Sequence, residues 1–214
     1  MTMNQNKGLF ITFEGCDGCG KTTAIRKVDE ILTKNQIEHV LSREPGGSKI
    51  AEQIRGIILD KNNTEEDSRT EALLYAASRR QHLVEVIKPA LENGTLVICD
   101  RYIDSSLAYQ GYARGLGIDN VMSINAFAIE NTMPDLTFFL DLTPEEGLAR
   151  IQGRNRDSDR LDNEKLSFHK KVYEGYKIIN EKYSSRIFSI DARQTPDEIA
   201  NEIASVIFKK LSEK

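Results

Sequence analysis

Gly15-Cys16-Asp17-Gly18-Cys19-Gly20-Lys21-Thr22 decides how this chain is to be read. The stretch fits G-x-x-x-x-G-K-[ST], the phosphate loop. Its glycines permit positive φ and let bare backbone approach a polyphosphate. Successive N–H groups then face one concavity, at which the following helix aims its positive dipole end. Lys21 supplies a point charge that reaches β- and γ-phosphates, and the Thr22 hydroxyl is placed to ligate Mg²⁺. With Thr23, these residues form the expected nucleotide-binding segment.

The flanks supply the setting the motif needs. Gly8 to Glu14 reads as a short apolar strand running into the loop, and Thr22 to Lys34 as a helix with Ile25, Val28, Ile31 and Leu32 on one face. Strand-like runs and helical patterns then alternate. The strands are Glu38–Arg43, Thr95–Cys99 ending at Asp100, Leu136–Leu142 and Arg186–Asp191. Between them Ser48–Asp60 reads as a helix. A further helix, capped by Ser68 with Glu71 closing a capping box, runs to about Ile87 and stops at Pro89. Thr143-Pro144 and Thr195-Pro196 open two more, each with a threonine cap and proline at the first position. This alternation predicts an α/β fold with about five parallel strands, covered by helices on both faces in three layers. Ligands in such sheets bind beyond the strand carboxyl ends. Those ends carry the phosphate loop, Arg43-Glu44, Asp100-Arg101 and Asp141.

The 214 residues suit one domain with a sizeable core, and no repeat or linker divides them. The net charge of −4 argues against a non-specific nucleic-acid surface. No apolar run approaches the roughly 20 residues of a membrane helix, and the polar opening Met1 to Lys7 reads as a frayed extension without a secretory segment. The expected place is the cytoplasm. Three cysteines, an odd number, argue against a disulfide framework. Cys16 and Cys19 form C-x-x-C but fill free positions of the phosphate motif, and no second ligand pair completes a zinc site. A helix N-terminus lowers thiol pKa, so these two thiols are expected to react with alkylating agents.

A phosphate loop alone does not separate a transferase from a switch or a motor. Asp100-Arg101, following an apolar strand, offers a carboxylate for Mg²⁺ or its water shell and a guanidinium that grips a phosphate through two parallel hydrogen bonds. As a lone pair it would read as a surface ion pair. Arg150 to about Asp162 holds Arg150, Arg154, Arg156 and Arg160 among glycine, asparagine and aspartates. It reads as a solvated loop, and equally as a lid that brings positive charge onto a transferring phosphoryl group.

At this point the chain resembles the thymidylate kinases. The resemblance rests on Phe13-Glu14-Gly15 with the phosphate loop, on Arg43-Glu44-Pro45-Gly46-Gly47 and on Arg69 to Arg79. Most diagnostic is Asp100-Arg101-Tyr102-Ile103-Asp104-Ser105-Ser106-Leu107-Ala108-Tyr109-Gln110-Gly111. It implies a nucleoside monophosphate kinase fold, transfer from ATP to thymidine 5′-monophosphate with Mg²⁺, and a homodimer. It further implies that Lys21 holds the ATP phosphates, that Thr22 and Asp100 serve the metal, and that Arg101, with Arg43 and Arg55, grips the acceptor phosphate. Glu44 joins that set. Tyr75 would lie against the thymine face, although its neighbours Leu73, Leu74 and Ala77 also suit a core aromatic. Arg79, Ser106 and Gln110 would meet the base edge, Tyr109 the deoxyribose and Asp17 the sugar 3′-hydroxyl. With no arginine in the phosphate loop, the chain resembles the bacterial type whose lid carries the catalytic arginine, here Arg156 and Arg160. Other kinases of the same fold, and less readily a nucleotide-dependent switch or a thiol redox protein, compete with this reading. No Asn-Lys-x-Asp guanine-reading motif supports a switch.

Overall fold

The chain's structure, a computed structural model, describes residues 7–151, 160–161 and 164–213. Five short strands form one all-parallel sheet: β1 (Phe10–Glu14), β2 (His39–Arg43), β3 (Leu96–Asp100), β4 (Leu136–Asp141) and β5 (Ile187–Asp191). Their order is β2-β3-β1-β4-β5. The chain leaves β1 toward one edge and leaves β3 toward the other, so a crevice opens at the carboxyl ends of these two neighbours.

The period-two alternation of side chains builds both cores. Ile11 and Phe13 of β1, Ile98 of β3 and Phe138 and Leu140 of β4 face one way. They pack against α1 (Lys21–Lys34) and α9 (Pro196–Ser212). Phe10 of β1, Val97 and Cys99 of β3 and Phe139 of β4 face the other. That second core takes in α2 (Lys49–Leu59), α3 (Ser68–His82), α6 (Ile118–Ile129) and α8 (Leu166–Lys182). Each fully buried Phe contributes about 1.5–3 kcal/mol, so the two alternating faces fix which side of every strand is which. Glu14 shares the second face with Phe10, and this register carries a carboxylate into the interior.

Three local expectations change. Asp67, not Ser68, caps α3: its carboxylate accepts from Arg69 N at 3.0 Å and Thr70 N at 3.3 Å. Glu71 cannot close a capping box there because its side chain is turned inward. Nor does Pro89 stop the chain. A π turn, Leu83–Ile87, ends α3, and Pro89 then sits in the first turn of α4 (Lys88–Glu92), where its missing N–H costs nothing. A second π turn, Leu107–Ala113, follows the short α5 (Ile103–Ser106). Its wider winding shifts every later side chain off the four-residue phase.

Candidate active site

The phosphate loop joins β1 to α1 through Gly15, Gly18 and Gly20, with φ of 140°, 79° and 98°. Gly18 has a second reason to lack a side chain. A Cβ there would stand 2.1 Å from the carbonyl oxygen of Gly147 in α7 (Pro144–Ile151), so helix and loop are in backbone contact. Lys21 folds back over the loop, its Nζ donating to Gly15 O at 2.9 Å and Cys16 O at 3.2 Å. The charge is thereby fixed above the concavity, at the first turn of α1.

Cys16 departs from the expectation for the loop thiols. Cys16 and Cys19 are buried. Burial, reinforced by neighbouring Cys19 and Asp17, pushes the Cys16 thiol up to about 12, against the pull of Lys21 and Arg101. Desolvation outweighs the helix terminus, and Cys16 is not the activated thiol that its position suggests.

Arg101 follows the end of β3 with φ 67°, a left-handed conformation that side chains other than glycine rarely adopt. Its backbone N–H still donates to Phe13 O at 2.9 Å, so the sheet holds the strained residue in place. The guanidinium donates to Asp17 Oδ1 at 2.6 Å, to Tyr176 Oη at 3.1 Å and to Ser105 Oγ at 3.2 Å. The Tyr109 hydroxyl donates to the other Asp17 oxygen at 2.9 Å. Burial would raise the Asp17 carboxyl, but Arg101, then Lys21 and the Tyr109 bond, overcome it and hold the group down at about 2.

Beneath Arg101 lies Glu14. Its carboxylate accepts from Tyr102 N at 2.8 Å, Ser105 Oγ at 2.5 Å and the Tyr176 hydroxyl at 2.8 Å. Burial, then the nearby Asp104 carboxylate, pushes Glu14 up to about 7 in spite of Arg101. Ser105 and Tyr176 thus stand between a buried acid and the guanidinium, and fix its position. Neither Glu14 nor Tyr176 was singled out in the sequence for a role of its own. The available signal was a carboxylate closing an otherwise apolar strand.

These groups border a cavity of about 310 Å³ at the carboxyl ends of β1, β2 and β3. Asp17, Gly18, Gly20, Lys21, Thr22 and Thr23 line one end. Arg43, Glu44, Arg55, Asp100 and Arg101 line the middle. Tyr75, Tyr109 and Gln110 line the wall toward α3. Gly15, Cys16 and Cys19 lie outside this lining, as does Asp141, which accepts instead from Tyr173 and Lys177 of α8. Three of the four strand ends therefore meet.

Arg79 and Ser106 are brought together but set behind the wall. Arg79 is buried and donates from Nε to Glu44 at 2.7 Å, from one terminal nitrogen to Ser106 Oγ at 3.1 Å and to Asn125, and from the other to Tyr102 O at 2.9 Å. The π turn accounts for the change of phase: Ser105, not Ser106, shares the cavity with Tyr109 and Gln110. Glu44 also takes a bond from His82 Nδ1 at 2.9 Å, and His82 Nε2 lies 2.6 Å from Ser42 Oγ. A carboxylate only accepts, so His82 Nδ1 carries a proton toward Glu44. The order serine–histidine–carboxylate matches a hydrolase triad, but neither Ser42 nor His82 lines the cavity. The arrangement instead fixes Glu44 and, through it, Arg79.

Arg160, expected at the transferring phosphate, is held elsewhere. Nε donates to Ile58 O at 3.0 Å, and a terminal nitrogen pairs with Glu71 at 2.6 Å and with Glu66. Two carboxylates neutralise it away from the cavity lining. Arg156 and the segment 152–159 lie outside the described residues.

Whether Mg²⁺ fits can be asked of the oxygens present. Asp100 Oδ1 is buried on the cavity wall with no hydrogen-bond partner among the described residues, and Thr22 lines the same cavity. No group of three or more His, Cys, Asp or Glu among the described residues could hold a metal alone. That donor set suits a hard cation completed by substrate phosphates and water.

The chain is similar to known proteins over most of its length. The family model described as thymidylate kinase matches residues 13–203. A thymidylate kinase of Clostridium novyi is 58% identical over 199 residues, covering 92% of this chain and 97% of that protein. One from Bacillus velezensis is 55% identical, with 95% and 97% covered, and one from Halalkalibacterium halodurans 54% identical, with 96% and 99% covered.

Proposed function

The chain belongs to the thymidylate kinase family, and we propose that its cavity serves the family reaction, phosphorylation of thymidine 5′-monophosphate to the diphosphate with ATP, by direct in-line transfer. The observation that carries the assignment of roles is that Lys21, Asp100 and Arg101, from distant parts of the sequence, line one cavity. ATP phosphates rest on the loop N–H groups and Lys21. Arg101, with Arg43 and Arg55, grips the acceptor phosphate. Glu44 holds Arg79 in register with the base pocket. Tyr75 offers a ring face to thymine, Tyr109 and Asp17 border the sugar, Gln110 serves the base edge, and Arg79 with Ser106 supports that wall from behind.

Thr22 and Asp100 would hold Mg²⁺, which when bound neutralises charge between the β- and γ-phosphates. The acceptor phosphate is already anionic near neutral pH, so no strong base is needed. The protein's contribution is alignment and fixed positive charge. Arg156 and Arg160 are the proposed lid cations, from a lid spanning about residues 150–162.

We also assign a homodimer and a cytoplasmic place. Phe127 of α6 is 90% exposed, with Leu73 of α3 and Ile50 and Ile57 of α2 exposed on adjoining helices. Such an apolar layer suits a two-fold interface. Sedimentation at micromolar concentration is expected to give a dimer, and a monomer would overturn the interface. No described helix is long and apolar enough to cross a membrane.

The test of substrate is a coupled ADP-release assay across the monophosphates of thymidine, deoxyuridine, uridine, cytidine, adenosine and guanosine. Thymidine monophosphate is expected to give the highest kcat/KM. Preference for another base would reassign the acceptor within the fold. Slow ATP hydrolysis indifferent to every monophosphate would favour a switch.

A further inference from the structure

Gln110 and Glu71 together hold one feature that the roles above do not use. Gln110 is 1% exposed and lies on the cavity wall, and its Oε1 has no hydrogen-bond partner among the described residues. Its Nε2 donates to Glu71 Oε1 at 2.9 Å. An amide alone does not say which end faces which way, because oxygen and nitrogen differ little in shape. Its partner says so here. A carboxylate accepts and never donates, so the NH₂ group must face Glu71, and the carbonyl oxygen of this cavity-lining side chain is left without a partner among the described residues.

Glu71 is itself immobilised. It is 1% exposed on α3, and Arg114 donates to both its oxygens at 3.3 and 3.2 Å while Arg160 pairs with Oε2 at 2.6 Å. Burial would raise its carboxyl, but Arg114, Gln110 and Arg160 outweigh burial and hold it below the usual glutamate range. It stays an anion, and only an anion locks the amide.

We propose that Glu71 is a positioning residue for base selection: by fixing the Gln110 amide it presents a pure acceptor to the base, which admits a pyrimidine with a proton on N3 and rejects one with a lone pair there. The inference rests on reading the cavity as a thymidylate site. Thymine carries N3–H, whereas the cytosine ring offers a bare N3 to the same position. Two facing acceptors leave both unpaired in a buried site, and such mismatches are rejected strongly. An amide free to turn over would donate to cytosine instead.

The test compares kcat/KM for thymidine 5′-monophosphate with that for 5-methyl-2′-deoxycytidine 5′-monophosphate, which changes the edge and keeps the methyl group. In Glu71→Gln the ratio is expected to fall at least tenfold, carried by a rise in KM for the first and a drop for the second, while any change in kcat that arises through Arg160 is common to both substrates. Glu71→Asp keeps the charge under Arg114 and Arg160 but withdraws it from Gln110 by one methylene, and is expected to lose discrimination in the same direction. A ratio within twofold of wild type in folded variants would overturn the proposal. The wild-type enzyme supplies a readout that survives if neither variant folds. Its Gln110 side-chain amide protons are expected to be protected from hydrogen exchange before any nucleotide is added, and free exchange there would overturn the role of Glu71. Absence of thymidylate turnover in wild type would instead sink the underlying assignment of the cavity.

Discussion

At the scale of residues, the site is a set of charges whose burial decides their behaviour. Glu14 shows this most plainly, raised from 4.5 to about 7 by desolvation and then by Asp104. Between those two pH values the native state retains a proton that the unfolded chain has released. Stability contributed through Glu14 is therefore full below about pH 4.5 and declines as pH rises through about 7. Asp17 has the opposite sign: held at about 2, it stabilises above the unfolded range near 4 and loses that contribution in more acid solution. The windows do not overlap. Urea unfolding between pH 5 and 8 is expected to show wild type losing stability relative to Glu14→Gln by on the order of a few kcal/mol. Parallel profiles for the two proteins would show that Glu14 is ionised throughout.

Among elements, the contact between the phosphate loop and α7 is the tightest constraint on the site. Gly18 and Gly147 face each other, and a Cβ on Gly147 would stand 2.3 Å from Asp17 O. Gly18→Ala adds a clash with backbone, at a φ of 79° that alanine resists. It is expected to lower Tm by several degrees and to weaken ATP binding tenfold or more in titration calorimetry. Wild-type affinity in this variant would mean that the loop and α7 separate at little cost. Element boundaries also show what a one-dimensional pattern carries. The Thr195 capping box and Pro196 are legible because cap and helix are contiguous in sequence. The π turn Leu107–Ala113 is not: nothing in Leu-Ala-Tyr-Gln-Gly-Tyr-Ala sets the wider winding of this segment, against which α8 packs. Hence Ser106 was expected at the base edge while Ser105 occupies the wall. Glu71 was expected to cap its own helix, but Gln110 and Arg114, about forty positions later, turn it inward.

On the scale of the whole molecule, the alternation of apolar strands and amphipathic helices was enough to foresee a parallel sheet with a ligand rim. The order β2-β3-β1-β4-β5 goes further than alternation, because it puts β1 and β3 side by side and so joins Lys21 to Asp100 and Arg101. What remained hidden in the sequence is the second layer under those charges. Tyr176 lies 75 residues from Arg101 and Glu14 lies 162 from Tyr176, and only the packing of α8 across the sheet unites them. Arg160 illustrates the converse: its position in an arginine-rich stretch suggests the phosphates, yet the nearest fixed anions in the fold are Glu66 and Glu71.

Donor and acceptor must occupy the cavity together, with their phosphates meeting between Lys21 and Arg101. Titration calorimetry with adenosine and thymidine joined 5′ to 5′ through five phosphates examines this directly. The compound is expected to bind once per chain, more tightly than either nucleotide, and to be displaced by ATP and by thymidine monophosphate alike. Binding that only one of the two nucleotides can displace, or two molecules of the compound per chain, would contradict a shared site.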